Sequence, residues 1–195
     1  RVPHPQLRIK PEEIADVLES MVLKGEVVSN KGRIYQISCF AQEDETARKV
    51  AEMLAVPPEK ADIHTALTHV RQSLGISLSQ RQSEAVYMAF RNNLSIITGS
   101  PGTGKTTVLR AVIEVYQALY PEGKILLAAP TGRASRRMAE STGRDDAKTL
   151  HSLLGLLGDS RFVRGKEKEP LDAGLIIVDE SSMIDMWLAQ QFFLR

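Results

Sequence analysis

A single cysteine, Cys39, stands in the 195 residues. No internal disulfide can form, which suits a reducing compartment, read as the cytoplasm. No apolar run approaches the roughly 20 residues needed to cross a bilayer, and the amino terminus lacks the apolar core of a signal peptide, so no membrane partner is expected. An excess of one charge is missing too. The 25 Lys and Arg stand against 24 Asp and Glu, and a net charge of +1 identifies no partner. Internal repeats and low-complexity tracts are absent. With 43% apolar and 25% charged residues, 13 Gly and 9 Pro, the chain fits neither a disordered segment, a collagen-like repeat nor a coiled coil. His4, His64 and His69 show no metal-ligand spacing with Cys39 or with each other. An initiator Met is also lacking, and the chain stops at Phe192-Phe193-Leu194-Arg195 without a terminator such as Gly or Pro. Both ends read as cuts in a longer protein.

What is present begins with helical periodicity. Ile14, Val17, Leu18, Met21 and Val22 lie on one face of a helix over 11–24, opened by Pro11 and closed by Gly25. Val27-Val28, a turn at Asn30-Lys31-Gly32 and the alternation of Ile34 and Ile37 predict a β-hairpin. Helix plus ribbon resembles the tail of a winged-helix unit. Further helices are expected over about 43–54, broken by Pro57-Pro58, and about 59–74, ended by Gly75. The texture then changes to alternating strands and helices: strand 95–98, helix 108–119, strand 125–129, helix 132–141, and a nearly all-aliphatic strand 175–178. Such a run suits a strand buried on both faces of a parallel sheet. An exposed loop is expected over 158–170. The expected fold is α/β, with a helical or winged-helix-like domain over 1–75 and a partial parallel sheet over 76–195.

Gly99-Ser100-Pro101-Gly102-Thr103-Gly104-Lys105-Thr106 satisfies G-x-x-x-x-G-K-[ST] between an expected strand and a helix. Glycines let backbone N–H groups converge on phosphate oxygens, and the helix N-terminus adds partial positive charge. Lys105 would reach the β- and γ-phosphates of ATP, Thr106 would ligate Mg²⁺, and Thr107 completes the nucleotide-binding set. Leu175-Ile176-Ile177-Val178-Asp179-Glu180 is the companion strand. It delivers Asp179 to the metal and Glu180 to the attacking water at the edge where α/β sheets place their sites. Ser79 and Gln82 form a capping box for a helix through about Phe90. Gln82 could instead present its amide to adenine; spacing alone favours the cap, and both readings stay open. Over 129–144, four Arg (133, 136, 137, 144) face Glu140 alone, a local net of +3. Thr131-Gly132-Arg133 at a helix N-terminus suits a nucleic-acid phosphate, against the alternative of a solvated basic face. His151 reads more readily as a packed or capping histidine than as a ligand.

GSPGTGKTT at 99–107, LSQRQ at 78–82, APTGRAS at 129–135, TLH at 149–151 and VDESSMID at 178–185 occur in that order. The set resembles the RecD/TraA branch of superfamily-1 DNA helicases, closely over 76–195 and more loosely upstream. The resemblance implies a RecA-like motor moving 5′ to 3′ on single-stranded DNA. It assigns Gln82 to adenine, Lys105 and Thr106 to phosphate and Mg²⁺, Asp179 and Glu180 to metal and water, and Thr131, Arg133 and His151 to the strand. It also implies duplex DNA or other subunits of a recombination complex as partners. Ser100 and Ser181 stand where the family commonly has Gly and Ala. The family's second RecA-like domain, with its arginine finger and half of the DNA track, is not within these residues. Another P-loop ATPase of the AAA+ loader type, or a non-catalytic nucleotide- and DNA-binding module, are the competing readings. No ABC-type LSGGQ string is present.

Overall fold

The computed structural model describes residues 11–156 and 169–195, which leaves all but the end of the expected 158–170 loop outside the described residues. The chain divides into two compact units, Arg1–Glu45 and Thr46–Arg195. The texture-based boundary at 75–76 falls later, because the helix before it buries its apolar face inside the second unit.

In the first unit, α1 (Pro11–Leu23) ends at Gly25, whose φ of +68° lets its N–H reach Val22 O at 3.0 Å. Strands β1 (Val27–Asn30) and β2 (Arg33–Gln36) pair antiparallel, Val28 opposite Tyr35. The two-residue loop Lys31-Gly32 has positive φ at both positions, the twist that a tight hairpin favours. The ribbon stops earlier than Ile37. That residue opens α2 (Ile37–Ala55), much longer than the expected 43–54, and an edge-to-face contact of Tyr35 with Phe40, centroids 5.4 Å apart, fixes the corner. On the apolar face of α1, Ile14 and Val17 are exposed while Leu18, Met21 and Val22 are half-buried.

The second unit holds three packed clusters. The helix α3 (Ile63–Leu74) is capped by Asp62, and α4 (Gln80–Arg91) by Ser79. Ile63, Ala66, Leu67 and Val70 of α3 pack with Val86 of α4 and with Val108, Ala111, Val112 and Val115 of α5 (Lys105–Leu119). Strands β3 (Ile125–Ala129), β4 (Lys148–Thr149) and β5 (Leu175–Val178) form a parallel sheet in the order β4-β3-β5. One face presents Ile125, Leu127, Leu175 and Ile177 to α5 and to Met138 of α6 (Gly132–Thr142). The other presents Ala128 and Val178 to Leu150 and Leu154, at α7 (Leu150–Leu153), and to Leu188 of α8 (Met186–Phe193). Helices on both faces make this an α/β layered fold. At about 0.8 kcal/mol per buried methylene, these three clusters are where its stability resides.

Two strand expectations need correction. Residues 95–98 carry no strand, and Ile96 is 74% exposed. Side-chain bonds hold the approach to this segment: Asn92 Nδ2 and Ser95 Oγ both donate to the nearby Met88 O, at 3.0 and 2.9 Å, and Asn93 Nδ2 reaches across to Met53 O and Val56 O. The run 175–178 is half-buried, because β5 is an edge strand of this sheet.

Candidate functional site

The loop 99–104 curls into the N-terminus of α5 through two left-handed glycines, Gly102 and Gly104, each at φ +79°. At Gly104 a Cβ would meet Gln82 Nε2, so a side chain there would displace the Gln82 amide as well as strain the backbone. Thr103 Oγ1 donates to Ser100 O at 2.8 Å. The Lys105 ammonium folds back over the loop and donates to Gly99 O at 2.5 Å and Ser100 O at 3.0 Å. Ser100 contributes backbone alone to these bonds, so serine in place of glycine leaves them intact. One feature marks this end of α5. Every other helix from α3 to α8 has a side-chain N-cap (Asp62, Ser79, Thr131, Thr149 and Asp185), whereas α5 has none. Its first-turn N–H groups are left for a ligand that accepts hydrogen bonds.

Gln82 forms the expected capping box. Its backbone N–H reaches Ser79 Oγ at 3.3 Å, and its Oε1 accepts from Ser79 N at 2.8 Å, which closes the capping box. Its Nε2 also crosses to the phosphate loop and donates to Thr103 O at 3.1 Å. An amide carries two N–H donors and two lone-pair sites. One donor and one acceptor remain, the pair that adenine N7 and N6 call for and that guanine, with acceptors at both N7 and O6, does not match.

The three strands point the other candidates to a common edge. Ala129 pairs with Thr149 and Ala128 with Val178, so the chain leaves β3, β4 and β5 at the same level. From β3 it enters Thr131, whose Oγ1 accepts from Ala134 N at 3.2 Å to cap α6, with Arg133, Arg136 and Arg137 exposed on that helix. Arg144 does not join them: its guanidinium grips Asp146 at 3.0 and 2.6 Å. That bond holds the Asp146 carboxyl below the usual carboxylate range and raises Arg144. From β4 the chain enters α7, capped by Thr149, with His151 exposed and neither packed nor capping. From β5 it enters Asp179, half-buried, whose N–H bonds Ala128 O at 3.0 Å. Glu180 follows in the left-handed region at φ +52°, its N–H bonded to Asp179 Oδ1 at 2.8 Å. A non-glycine residue there stores about 1–2 kcal/mol, the kind of local strain that clusters at functional sites. Residues 82–195 match the family described as AAA domain. The chain belongs to that family.

Over 156 residues, 80% of this chain, it is 36% identical to the ATP-dependent RecD2 DNA helicase of Deinococcus radiodurans. It is 37% identical over 126 residues, 54% of this chain, to the RecBCD enzyme subunit RecD of Haemophilus influenzae, and 35% over 127 residues, 55% of this chain, to that of Mycobacterium tuberculosis. These stretches cover 21%, 20% and 22% of the relatives, so the chain spans about a fifth of the proteins it matches. In RecD-like terms, the structure brings Gln82 onto the phosphate loop and sets Asp179, Glu180, Thr131, Arg133 and His151 along one sheet edge. Among the described residues no hydrogen bond or ion pair joins Lys105 or Thr106 to Asp179 or Glu180. No helix among them is long and apolar enough to cross a membrane. The sequence reading missed Arg71 and Ser83, which grip the start of α4. Neither breaks a periodic pattern, so nothing in the sequence singles them out.

Proposed function

We propose that the chain is the first, partial motor domain (76–195) of an ATP-dependent DNA helicase, preceded by a pre-helicase domain (1–75) and acting in the cytoplasm in recombination and repair. The observation that carries the reading is the uncapped α5 N-terminus beneath a loop closed by Lys105, with half of the Gln82 amide still unused. Backbone N–H groups of 102–107 would take the β- and γ-phosphates of ATP, and Lys105 would exchange its two carbonyl partners for phosphate oxygens. Mg²⁺, when bound, neutralises charge on those phosphates; Thr106 and Asp179 would hold it. Oxygen donors of this kind, few and completed by phosphate and water, fit Mg²⁺. Glu180, held rigidly by its backbone, would orient water. Thr131, Arg133 and His151 would touch the phosphates of single-stranded DNA, with 5′ to 3′ movement taken from the resemblance. Duplex DNA or other recombination subunits are the further partners in view.

Calorimetric titration with Mg-ATP tests the reading. Lys105→Ala should lower affinity at least about tenfold, since a charge-assisted bond to phosphate is worth more than the 1.4 kcal/mol that tenfold represents. Equal affinity in the two proteins would remove Lys105 from the site and the reading with it.

A further inference from the structure

The structure assigns a positioning role to Arg71: its guanidinium holds the start of α4 so that the Gln82 amide faces the base of a bound nucleotide. This rests on the adenine reading of Gln82 given above and adds to it the residue that would enforce it.

Arg71 sits in the last turn of α3, and its carbonyl accepts both terminating N–H groups, from Gly75 and from Ile76 at 3.2 Å. Its side chain reaches across to the next helix. Nη2 donates to Leu78 O at 3.4 Å and to Ser83 Oγ. Ser83 Oγ in turn donates to Ser79 O at 2.8 Å, and Ser79 N donates to Gln82 Oε1. Gln82 Nε2 completes the relay on Thr103 O. The chain of bonds runs from α3 through the α4 cap to the phosphate loop. Every donor in it has one direction.

The dipole of α3 favours a cation in its last turn, but electrostatics does not explain where the head group goes. A positive charge beside the N-terminus of α4 opposes that helix's dipole. Among the described residues Arg71 forms no ion pair, and its Nε is buried without a hydrogen-bond partner. A single Nη2 bridging a carbonyl and a hydroxyl does explain it. The bridge pins the Leu78-Ser79 turn, and the turn pins the amide. If the turn swings, Gln82 keeps its helix but loses the orientation that tells adenine from guanine.

The test uses the full-length protein that carries this chain, titrated calorimetrically with AMP-PNP and GMP-PNP. Wild type should prefer AMP-PNP. Arg71→Ala should lose about fivefold of that preference, the size of one net hydrogen bond, through weaker AMP-PNP binding with GMP-PNP unchanged. Ser83→Ala should move the ratio the same way by less, and Arg71→Lys should restore part of it. Should Arg71→Ala fail to fold by circular dichroism, Ser83→Ala and Arg71→Lys carry the same expectation. Equal weakening of both nucleotides, or an unchanged ratio, while Gln82→Ala abolishes the preference, would overturn the role of Arg71. A Gln82→Ala protein that keeps the wild-type ratio would overturn the adenine reading itself and this inference together.

Discussion

Gly102 and Gly104 share a backbone conformation but not an environment, and the difference between them isolates one contact. Both have φ of +79°, so alanine at either position pays the left-handed penalty of about 1–2 kcal/mol. Each alanine also narrows the unfolded chain, returning about 0.4–1 kcal/mol. These shared effects cancel in the comparison. A Cβ at Gly102 meets nothing within 4 Å, whereas one at Gly104 overlaps Gln82 Nε2. Gln82 must then leave Thr103 O, a neutral hydrogen bond worth about 0.5–1.5 kcal/mol net. Gly104→Ala should therefore be less stable than Gly102→Ala by about 1 kcal/mol, read as the difference in urea unfolding midpoints at equal slope. In a Gln82→Ala background the obstruction is gone, and the two alanine variants should converge. Equal midpoints in the wild-type background, or a gap that persists without the Gln82 side chain, would refute the contact as the cause.

The other expectations divide between chemistry, DNA and pH. In the full-length protein Glu180→Gln should bind ATP normally and turn over at least about a hundredfold slower in a steady-state phosphate-release assay, while residues 1–195 alone should show negligible DNA-stimulated turnover for want of an arginine finger, a group worth about 10³–10⁵ in rate; several turnovers per second from the isolated chain would contradict this. Arg133→Ala should flatten the salt dependence of oligo-dT binding by somewhat under one unit, measured by fluorescence anisotropy in the full-length protein, because each neutralised phosphate contributes about 0.7 on single strands; an unchanged slope returns Arg133 to a solvated face. Arg144 lowers the folded-state pKa of Asp146, so this bond stabilises the fold above the ordinary carboxylate pKa of about 3.9 and its contribution fades as pH falls through the lower folded value. With the Asp146 side chain half-exposed the effect is at most about 1 kcal/mol, and the loss of stability caused by Asp146→Asn at pH 7 should vanish near pH 2 in thermal melts.

How far the sequence revealed this protein depended on the range of the forces involved. Local codes read cleanly. The S-x-x-Q pattern became a capping box, and the aliphatic runs 125–129 and 175–178 became strands with those bounds. The curl of loop 99–104 was legible because it is backbone geometry, written in glycine spacing. What failed was decided by partners. The β-branched run 95–98 has strand propensity, yet a strand exists only in a ladder, and these residues pair with no strand of the sheet. Lys148-Thr149 is too short to carry a period of its own and is a strand only because Ala128 and Ala129 pair with it. The expected strand runs on to Ile37, yet that residue lies three after Ile34, off a period of two, and it opens a helix whose Phe40 meets the Tyr35 ring. Arg71 was invisible for the same reason, since its meaning lies in atoms seven and twelve residues away.

The arrangement at the sheet edge bears on why one motor domain would need both ligands. Ala128 pairs with Lys148 on one side and Val178 on the other, and its carbonyl also holds Asp179 N. Ala129 and Pro130 then lead directly to Thr131 and α6. The proposed metal ligand and the proposed DNA segment thus hang from neighbouring residues of one strand. Ala128 and Ala129 are fully buried, Ala128 in one cluster with Leu150 and Leu154, and close-packed interiors resist the bending of one strand end alone. A shift of Asp179 toward a nucleotide would have to be shared with the Thr131 turn or resisted by the packing beneath it. Tight packing converts small local displacements into movements of whole elements. Coupling between the two sites would therefore run through the rigid end of β3, with two buried alanines as its tightest point.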